Sequence, residues 1–507
     1  MFHGPEYRTV FSRNAPATVK TGRTQFHKRI RYWAHRPARM HLLKLGMVLS
    51  FLVEVFLGAP LLATAILYIG TYLGFASVVV CGLDSVVGLL MLTFTLRTTG
   101  IFLLAKTLVF ESWANGNETA LTIAEVYFVG YAVTFILAAI SVKIFRPHSA
   151  MERHFDSATC RAVAWLIFVL CMIASQLPAT LSGGVWGAIR TYSALNVFCI
   201  PLAVGVSLAE TPNRQYWHNL ALLFLGVSLV LAVINTGKEA FVTPALAYIL
   251  SLLIYGKISL KSFFSLLSVG TVLLFTIIGP YSDWIRNTGA RDLVGMERVK
   301  VTLKGLATTL DPVQRRKILA DLNDYRLQGQ GRSLFISNVG YFGRLMSINE
   351  GYTLINATAE QGPLGAELVK EELSMLIPRF LAPWKSEVGT SFILSRFAGI
   401  QAMDSIEYVG IAFGPFPTYY TMGGLMMMPL IIALFTAPIF LAIRYIELAY
   451  PARMIRVGLL MLLWHTFAES TSSLGIIYSL LFLWCSLQTC HILTRSGTIR
   501  ATGALVT

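Results

Sequence analysis

Twelve apolar runs, most of them close to twenty residues long, dominate this chain. They lie at 46–70, 73–95, 98–113, 121–145, 162–180, 193–209, 217–235, 240–255, 262–280, 418–443, 457–471 and 473–490. A helix rises about 1.5 Å per residue, so about 20 apolar residues cross the hydrocarbon core of a bilayer. Hydrophobic residues make up 55% of the 507 positions and charged residues 13%, against about 25% charged in a soluble domain. That balance excludes an ordinary soluble enzyme, a disordered chain and a disulfide scaffold. The expected fold is an all-α polytopic membrane protein with about 12 transmembrane helices.

The net charge of +15 is unevenly spread, and its spread sets an orientation. Residues 1–44 hold ten Lys/Arg and one acid, Glu6. Residues 281–410 hold fifteen Lys/Arg and fourteen Asp/Glu. With the amino terminus inside, the even-numbered turns hold Arg97, Lys143, Arg146, Arg153, Arg161, Arg214, Lys257, Lys261, Arg444, Arg453 and Arg456. The carboxyl tail adds Arg495 and Arg500, so 23 of the 26 cations outside the long loop are cytoplasmic. Agreement with the positive-inside rule is strong, and both termini are expected in the cytoplasm. The division that follows is a basic tail at 1–44, nine spans within 45–280, one large extracytoplasmic loop at 281–417, three spans within 418–490, and a tail at 491–507. A loop that long is expected to carry helices of its own. Asp311-Pro312 reads as an N-cap followed by a first helical residue, with Ile318, Leu319 and Leu322 on one face. Basic charge here reads as topology and anionic lipid rather than nucleic acid.

The six cysteines form no Cys-x-x-Cys, so neither a zinc site nor a disulfide frame is indicated. No Gly-x-x-x-x-Gly-Lys-Ser/Thr and no His-Glu-x-x-His occurs, which argues against an ATP-driven motor and a zinc protease. No cofactor and no metal is expected.

The chemistry that remains is carried by cations at the outer membrane boundary. Lys238 follows Gly237 in a tight turn between spans seven and eight, where an ammonium meets anionic headgroups without deep burial; it could instead snorkel and pair with Glu239. Arg286 follows span nine beside Tyr281 and Trp284, which are interfacial anchors by type. Arg379 and Lys385 sit on the Leu376–Lys385 segment, which Pro378 and Pro383 stiffen. A guanidinium fork with an ammonium suits a pyrophosphate, although solvated charges on a turn would look the same. Trp384, Tyr419 and Tyr420 offer aromatic faces for sugar rings, the last two in the Gly- and Pro-rich re-entry to span ten, where they could equally be packing. Glu407 is the candidate general base. Arg344 and His465 are secondary candidates. Lys370, Glu371 and Glu372 read as a solvated helix face. Glu54 and Asp84 are intramembrane acids, functional by default or else structural partners of Lys106.

The order of these features resembles the bacterial O-antigen and exopolysaccharide repeat-unit polymerases, the Wzy-like integral membrane glycosyltransferases. The segments that carry the likeness are Asn235-Thr236-Gly237-Lys238, Ile377-Pro378-Arg379-Phe380 with Pro383-Trp384-Lys385, Phe413-Gly414-Pro415-Phe416 with Tyr419-Tyr420-Thr421-Met422-Gly423-Gly424, and Arg286. The family's cation after the small outer turn is usually arginine, so Lys238 is a departure that lacks the bidentate fork.

The resemblance implies polymerisation of undecaprenyl-pyrophosphate-linked oligosaccharide repeat units on the outer face of the bacterial inner membrane, with lipid pyrophosphate as leaving group and no metal. Lys238, Arg286, Arg379 and Lys385 would hold the pyrophosphate. Its partners would be the lipid-linked oligosaccharides, the bilayer, and a chain-length regulator and repeat-unit flippase. An O-antigen ligase shares this layout. A secondary transporter or glycan flippase is the alternative of another class. Its signatures are repeated halves and helices interrupted at the midplane, whereas here the halves differ and most polar features cluster on one side.

Overall fold

The computed structural model describes residues 37–82, 85–108, 110–114, 118–145, 157–175, 195–208, 214–235, 238–255, 257–287, 295–317, 348–374, 390–399, 413–450, 453–464, 467 and 473–495. Among them no strand occurs, and the regular structure is helical throughout. Six helices are long and apolar enough to cross a membrane: Leu61–Cys81, Val86–Leu108, Ala120–Ile144, Gln215–Val233, Lys261–Ser282 and Pro415–Ala449. Shorter apolar helices run over Arg161–Ile173, Phe241–Ile254, Met454–Leu463 and Ile476–Ile492. The chain is an all-helical, membrane-embedded protein.

Each of the twelve apolar runs overlaps a helix, but the first three are divided differently. The helices are α1 (Pro37–Phe56), α2 (Leu61–Cys81) and α3 (Val86–Leu108). Gly58 lies at φ +90° and Pro60 precedes α2, so the 46–70 run contains a break. Glycine alone tolerates that φ freely, and proline suits a helix start because its missing N–H has no intrahelical partner there. Gly82, at φ +83°, ends α2 and opens a second break inside the 73–95 run. A consequence is that Arg97 does not occupy a turn. It sits eleven residues from each end of α3, in a π-helical turn at Leu96–Gly100.

The register of the first bundle is set by close pairs. Thr71 Oγ1 donates to Thr99 Oγ1 at 2.9 Å, and Ser50 Oγ bonds both Tyr68 and Thr107 at 2.7 Å. A Cβ on Gly70 would stand 2.8 Å from the Phe128 backbone of α4 (Ala120–Ile144), so α2 and α4 approach through that glycine. α2 and α4 therefore run parallel, with α3 antiparallel beside them. One end of this bundle holds Glu54, Leu108 and Thr119; the other holds Cys81, Val86 and Ile144. The second group comprises α5 (Ser157–Ser175), α6 (Asn196–Leu208), α7 (Arg214–Asn235) and α8 (Lys238–Ile254). α9 (Leu260–Leu273) continues through a second π-turn, Leu274–Ile278, into α10 (Gly279–Asn287).

The 281–417 segment is largely helical where described, as its length predicted: α11 (Gly295–Leu310), α12 (Ile348–Gln361), α13 (Ala366–Ser374) and α14 (Thr390–Phe397). Asp311 caps the turn at 312–317, its Oδ1 accepting from Val313 N at 2.9 Å. Ile318, Leu319 and Leu322 lie outside the described residues.

α15 (Pro415–Ala449) is two helices. Gly424, at φ +66° and ψ −177°, breaks it. Residues 424–449 are long enough to cross a bilayer on their own, and Pro415–Gly423 folds back against them. Tyr419 stacks on Phe435 at 5.8 Å, although sixteen residues of straight helix would separate them by about 24 Å. The Phe416 ring reaches Phe94 at 5.1 Å and Tyr131 at 5.1 Å, near the middle of α3 and α4. Pro415–Gly423 is thus a re-entrant half-helix that begins at mid-depth and rises to the Glu54 end. α12 lies beside it in the same direction, with Thr358 Oγ1 bonded to Thr421 Oγ1 at 2.7 Å. The chain closes with α16 (Arg453–Leu463) and α17 (Ser473–Arg495).

Candidate functional site

Two of the sequence-selected cations are brought to one end of the bundle. α7 ends at Asn235 and α8 starts at Lys238, with residues 236 and 237 outside the described residues. Arg286 lies on α10, and α10 packs on the facing ends of α7 and α8. Tyr281 Oη donates to the Val233 carbonyl at 2.7 Å, and the Phe241 ring meets the Tyr281 ring edge-on at 6.3 Å. Tyr281 and Ile285 form a small apolar cluster with Val233, Phe241, Trp284, Val301 and Leu306. Tyr281 is therefore buried in that cluster, not an outward anchor, because its hydroxyl finds an acceptor inside the protein. At the opposite end of the same helices a Cβ on Gly205 would lie 2.7 Å from Tyr255 Oη and 2.8 Å from Met454 Cβ. The Lys238 turn and α10 hence share the Glu54 end with α12 and the half-helix.

Tyr419 is buried, its ring stacked on Phe435. Tyr420 is half-buried against the core. Arg344, Arg379, Trp384, Lys385, Glu407 and His465, with Asp84, lie outside the described residues.

The embedded acids have structural partners. Glu54 accepts from Trp113 N at 3.0 Å and Thr107 Oγ1 at 3.3 Å, fastening the 110–114 segment over α1. Lys106 pairs with Glu111 at 3.0 Å, not with Glu54. Glu372 is buried and accepts from Thr390 Oγ1 at 2.8 Å, so it is not on a solvated face. At the other end Glu447 is fully buried. Its carboxylate takes Arg444 at 3.0 Å, Arg456 at 3.4 Å and Val86 N at 3.3 Å, which ties α15 and α16 to the start of α3.

Sequence reasoning missed Arg97. It is 8% exposed, and its guanidinium carbon stands 5.5 Å from the Trp464 ring centroid. About 16 Å of helix separates it from either end of α3. A central arginine costs about 3 kcal/mol on insertion scales, so such residues face protein interiors or water-filled paths. The signal that finds it is the break at Gly82–Ser85: once that break is recognised, 86–108 reads as one run with a cation at its centre. Beside Arg97, Thr98 and Thr99 both bond the Tyr131 hydroxyl, Thr99 at 2.9 Å. Helix irregularities also converge here. α3 makes its π-turn, α16 ends at Leu463 just before Trp464, and the half-helix begins at Pro415. Phe94, one turn before Arg97, touches Phe416 at 5.1 Å and Phe467 at 5.2 Å.

Among the described residues no group of three His, Cys, Asp or Glu side chains is arranged to hold a metal ion. Comparison of the chain with family models, curated proteins and solved structures finds no match.

Proposed function

We propose that this chain is an integral membrane glycosyltransferase that polymerises undecaprenyl-pyrophosphate-linked oligosaccharide repeat units into O-antigen or exopolysaccharide. In this reading the chain makes twelve spans, both termini are cytoplasmic, and the Glu54 end faces outward from the inner membrane. The observation that carries the reading is the contact between the Lys238 turn and α10, made by Tyr281 on Val233 at 2.7 Å. It gathers two cation-bearing segments from distant parts of the sequence at one end of the bundle, as a diphosphate site requires.

The chemistry follows from charge. A sugar hydroxyl of one lipid-linked unit attacks the anomeric carbon of another. The bond to the lipid pyrophosphate breaks, and that group departs with the electron pair. Negative charge grows on it in the transition state, and fixed cations at Lys238, Arg286, Arg379 and Lys385 stabilise it. Glu407 takes the hydroxyl proton. Both substrates being anchored in one membrane raises their effective concentration.

The test is chain extension by purified protein supplied with lipid-linked repeat units. Arg379→Ala is expected to abolish extension while the protein remains inserted, and Lys238→Arg is expected to retain it. Normal-length polymer from Arg379→Ala would remove Arg379 from the site. Transfer of finished chains to a lipid A core without extension of repeat units would identify a ligase instead.

A second reading has an observation of its own. Helix irregularities at mid-depth are a mark of secondary transporters, and at that level α3 makes a π-turn, the half-helix of α15 begins and α16 ends. Uptake or flipping of a glycan by proteoliposomes, with no extension activity, would favour that reading.

A further inference from the structure

We propose that α11 lies along the membrane boundary at the Glu54 end and docks on the anionic phospholipid headgroups of that leaflet through Lys300 and Lys304. The inference needs only a membrane-embedded chain, so it goes beyond either reading of the function.

The first ground is the distribution of charge. Residues 295–317 carry six Lys/Arg against Glu297 and Asp311, whereas the rest of 281–410 carries nine Lys/Arg and twelve Asp/Glu. The cationic excess of this long segment is therefore confined to one stretch. Long loops escape the charge rule that orients short ones, so topology does not account for it. A partner of opposite sign does, and an acidic leaflet presents its phosphates as a plane beside the protein.

The second ground is the shape of the helix. Residues three, four and seven apart share one side of a helix, and α11 has three such sides. Thr302, Gly305 and Thr309 are buried; Leu303, Ala307 and Leu310 are exposed; Glu297, Lys300 and Lys304 are exposed on the third. The buried side faces protein. A Cβ on Gly305 would lie 2.4 Å from Trp284 Cζ3, and Val301 and Leu306 pack on the cluster around Tyr281 and Ile285. The other two sides are an apolar edge and a charged edge. Leu303 and Leu310 are more than half exposed, as is Val313 in the turn beyond. Water is a poor neighbour for the first edge, and hydrocarbon is a poor neighbour for the second. The boundary between them suits both, as for amphipathic helices that lie on a bilayer.

The third ground is level. α10 follows directly on the Lys261–Ser282 span, so Trp284 stands just past the end of a membrane-crossing helix. Val233 and Phe241, in the cluster that α11 covers, lie within one turn of the facing ends of α7 and α8. These contacts hold α11 at headgroup height. Lys300 and Lys304 form no ion pair among the described residues. An ammonium on a flexible stem acts as a point charge, which suits phosphates that arrive in varied positions.

The experiment places the full chain, one copy per nanodisc, in phosphatidylcholine alone or mixed with phosphatidylglycerol. Amide hydrogen exchange is followed over 297–310. Phosphatidylglycerol is expected to slow that exchange about tenfold, as two lysines near an anionic surface supply, and added salt should reverse the gain. Lys300→Gln combined with Lys304→Gln should lose the gain, and Lys300→Arg combined with Lys304→Arg should keep it. Leu303→Ser combined with Leu310→Ser should speed exchange in both lipids, because the apolar edge no longer anchors the helix. Exchange that ignores phosphatidylglycerol, a gain that survives the two Gln substitutions, or unchanged exchange after the two Ser substitutions overturns the proposal. Protection that appears only when two copies share a disc assigns the face to a second copy of the chain and overturns it too. Each of these failures leaves the proposed function standing.

Discussion

Two spans of similar length and hydropathy lead opposite lives in this molecule. In α3, over Val86–Leu108, two thirds of the most apolar stretch is buried residues, whereas in the Lys261–Ser282 span almost none is. Both contain a π-turn. On α9 the side chains of Phe264, Leu266, Leu267, Val269, Val272 and Leu273 are exposed. In the middle of the span, Ser268, Thr271 and Thr276 of the following π-turn each donate to a carbonyl one turn back. On α3 the hydroxyls of Thr98, Thr99 and Thr107 reach neighbouring helices, and Arg97 and Lys106 are buried. Hydropathy thus says which run can cross a bilayer. The partners of its polar groups say whether it faces lipid or protein, because a hydroxyl in hydrocarbon satisfies itself locally unless another helix offers a partner.

The contrast is open to attack at its strongest point first. α3 is anchored at one end by Glu447, so Glu447→Ala should leave Arg444 and an α3 amide without their buried carboxylate. The expected loss is about 3–5 kcal/mol, read as a lower unfolding midpoint in detergent. An unchanged midpoint would mean that α3 is held by apolar packing alone. A charge placed on the other span comes next. A Cβ on Gly270 would meet nothing within 4 Å beyond its own helix, so Gly270→Arg should meet lipid and reduce membrane insertion by about 3 kcal/mol, measured with a glycosylation-reporter insertion assay. Efficient insertion would place that face against protein. The hinge follows: Gly424→Val forces a β-branched residue into a backbone region open essentially to glycine, at a cost of about 1–3 kcal/mol. It should also free the half-helix, seen as faster hydrogen exchange over 415–423. The smallest effects form a matched pair. Thr99→Val removes a buried bond to α2 and α4 and should cost about 1–2 kcal/mol. Thr276→Val should stay within about 0.5 kcal/mol. Equal effects at the two positions would erase the distinction.

Much of the fold was legible, for identifiable reasons. Long apolar runs announce helices because the bilayer leaves a backbone few alternatives, and Asp311-Pro312 announced its cap because both residues act within one turn. The division of 46–113 was not legible. Gly58, Pro60 and Gly82 break helices inside apolar surroundings, and Arg97 looked like the turn that those breaks had displaced. The stack of Tyr419 on Phe435 was not legible either, because residue type does not reveal a contact made across a hairpin. That hairpin needs Gly424 to turn and Gly423 to allow contact, since a Cβ on Gly423 would lie 2.6 Å from Ile431 Cδ1.

By itself, then, the amino-acid sequence determined that this chain is helical and membrane-embedded, and that cations gather in particular segments. Those properties depend on local hydropathy and local backbone preference, which act within a turn or two. Only the tertiary structure decided that the Lys238 turn meets α10, that Pro415–Gly423 folds back to mid-depth, and that Arg97 is central and buried. Each depends on contacts between residues tens or hundreds of positions apart, which packing selects and composition does not encode.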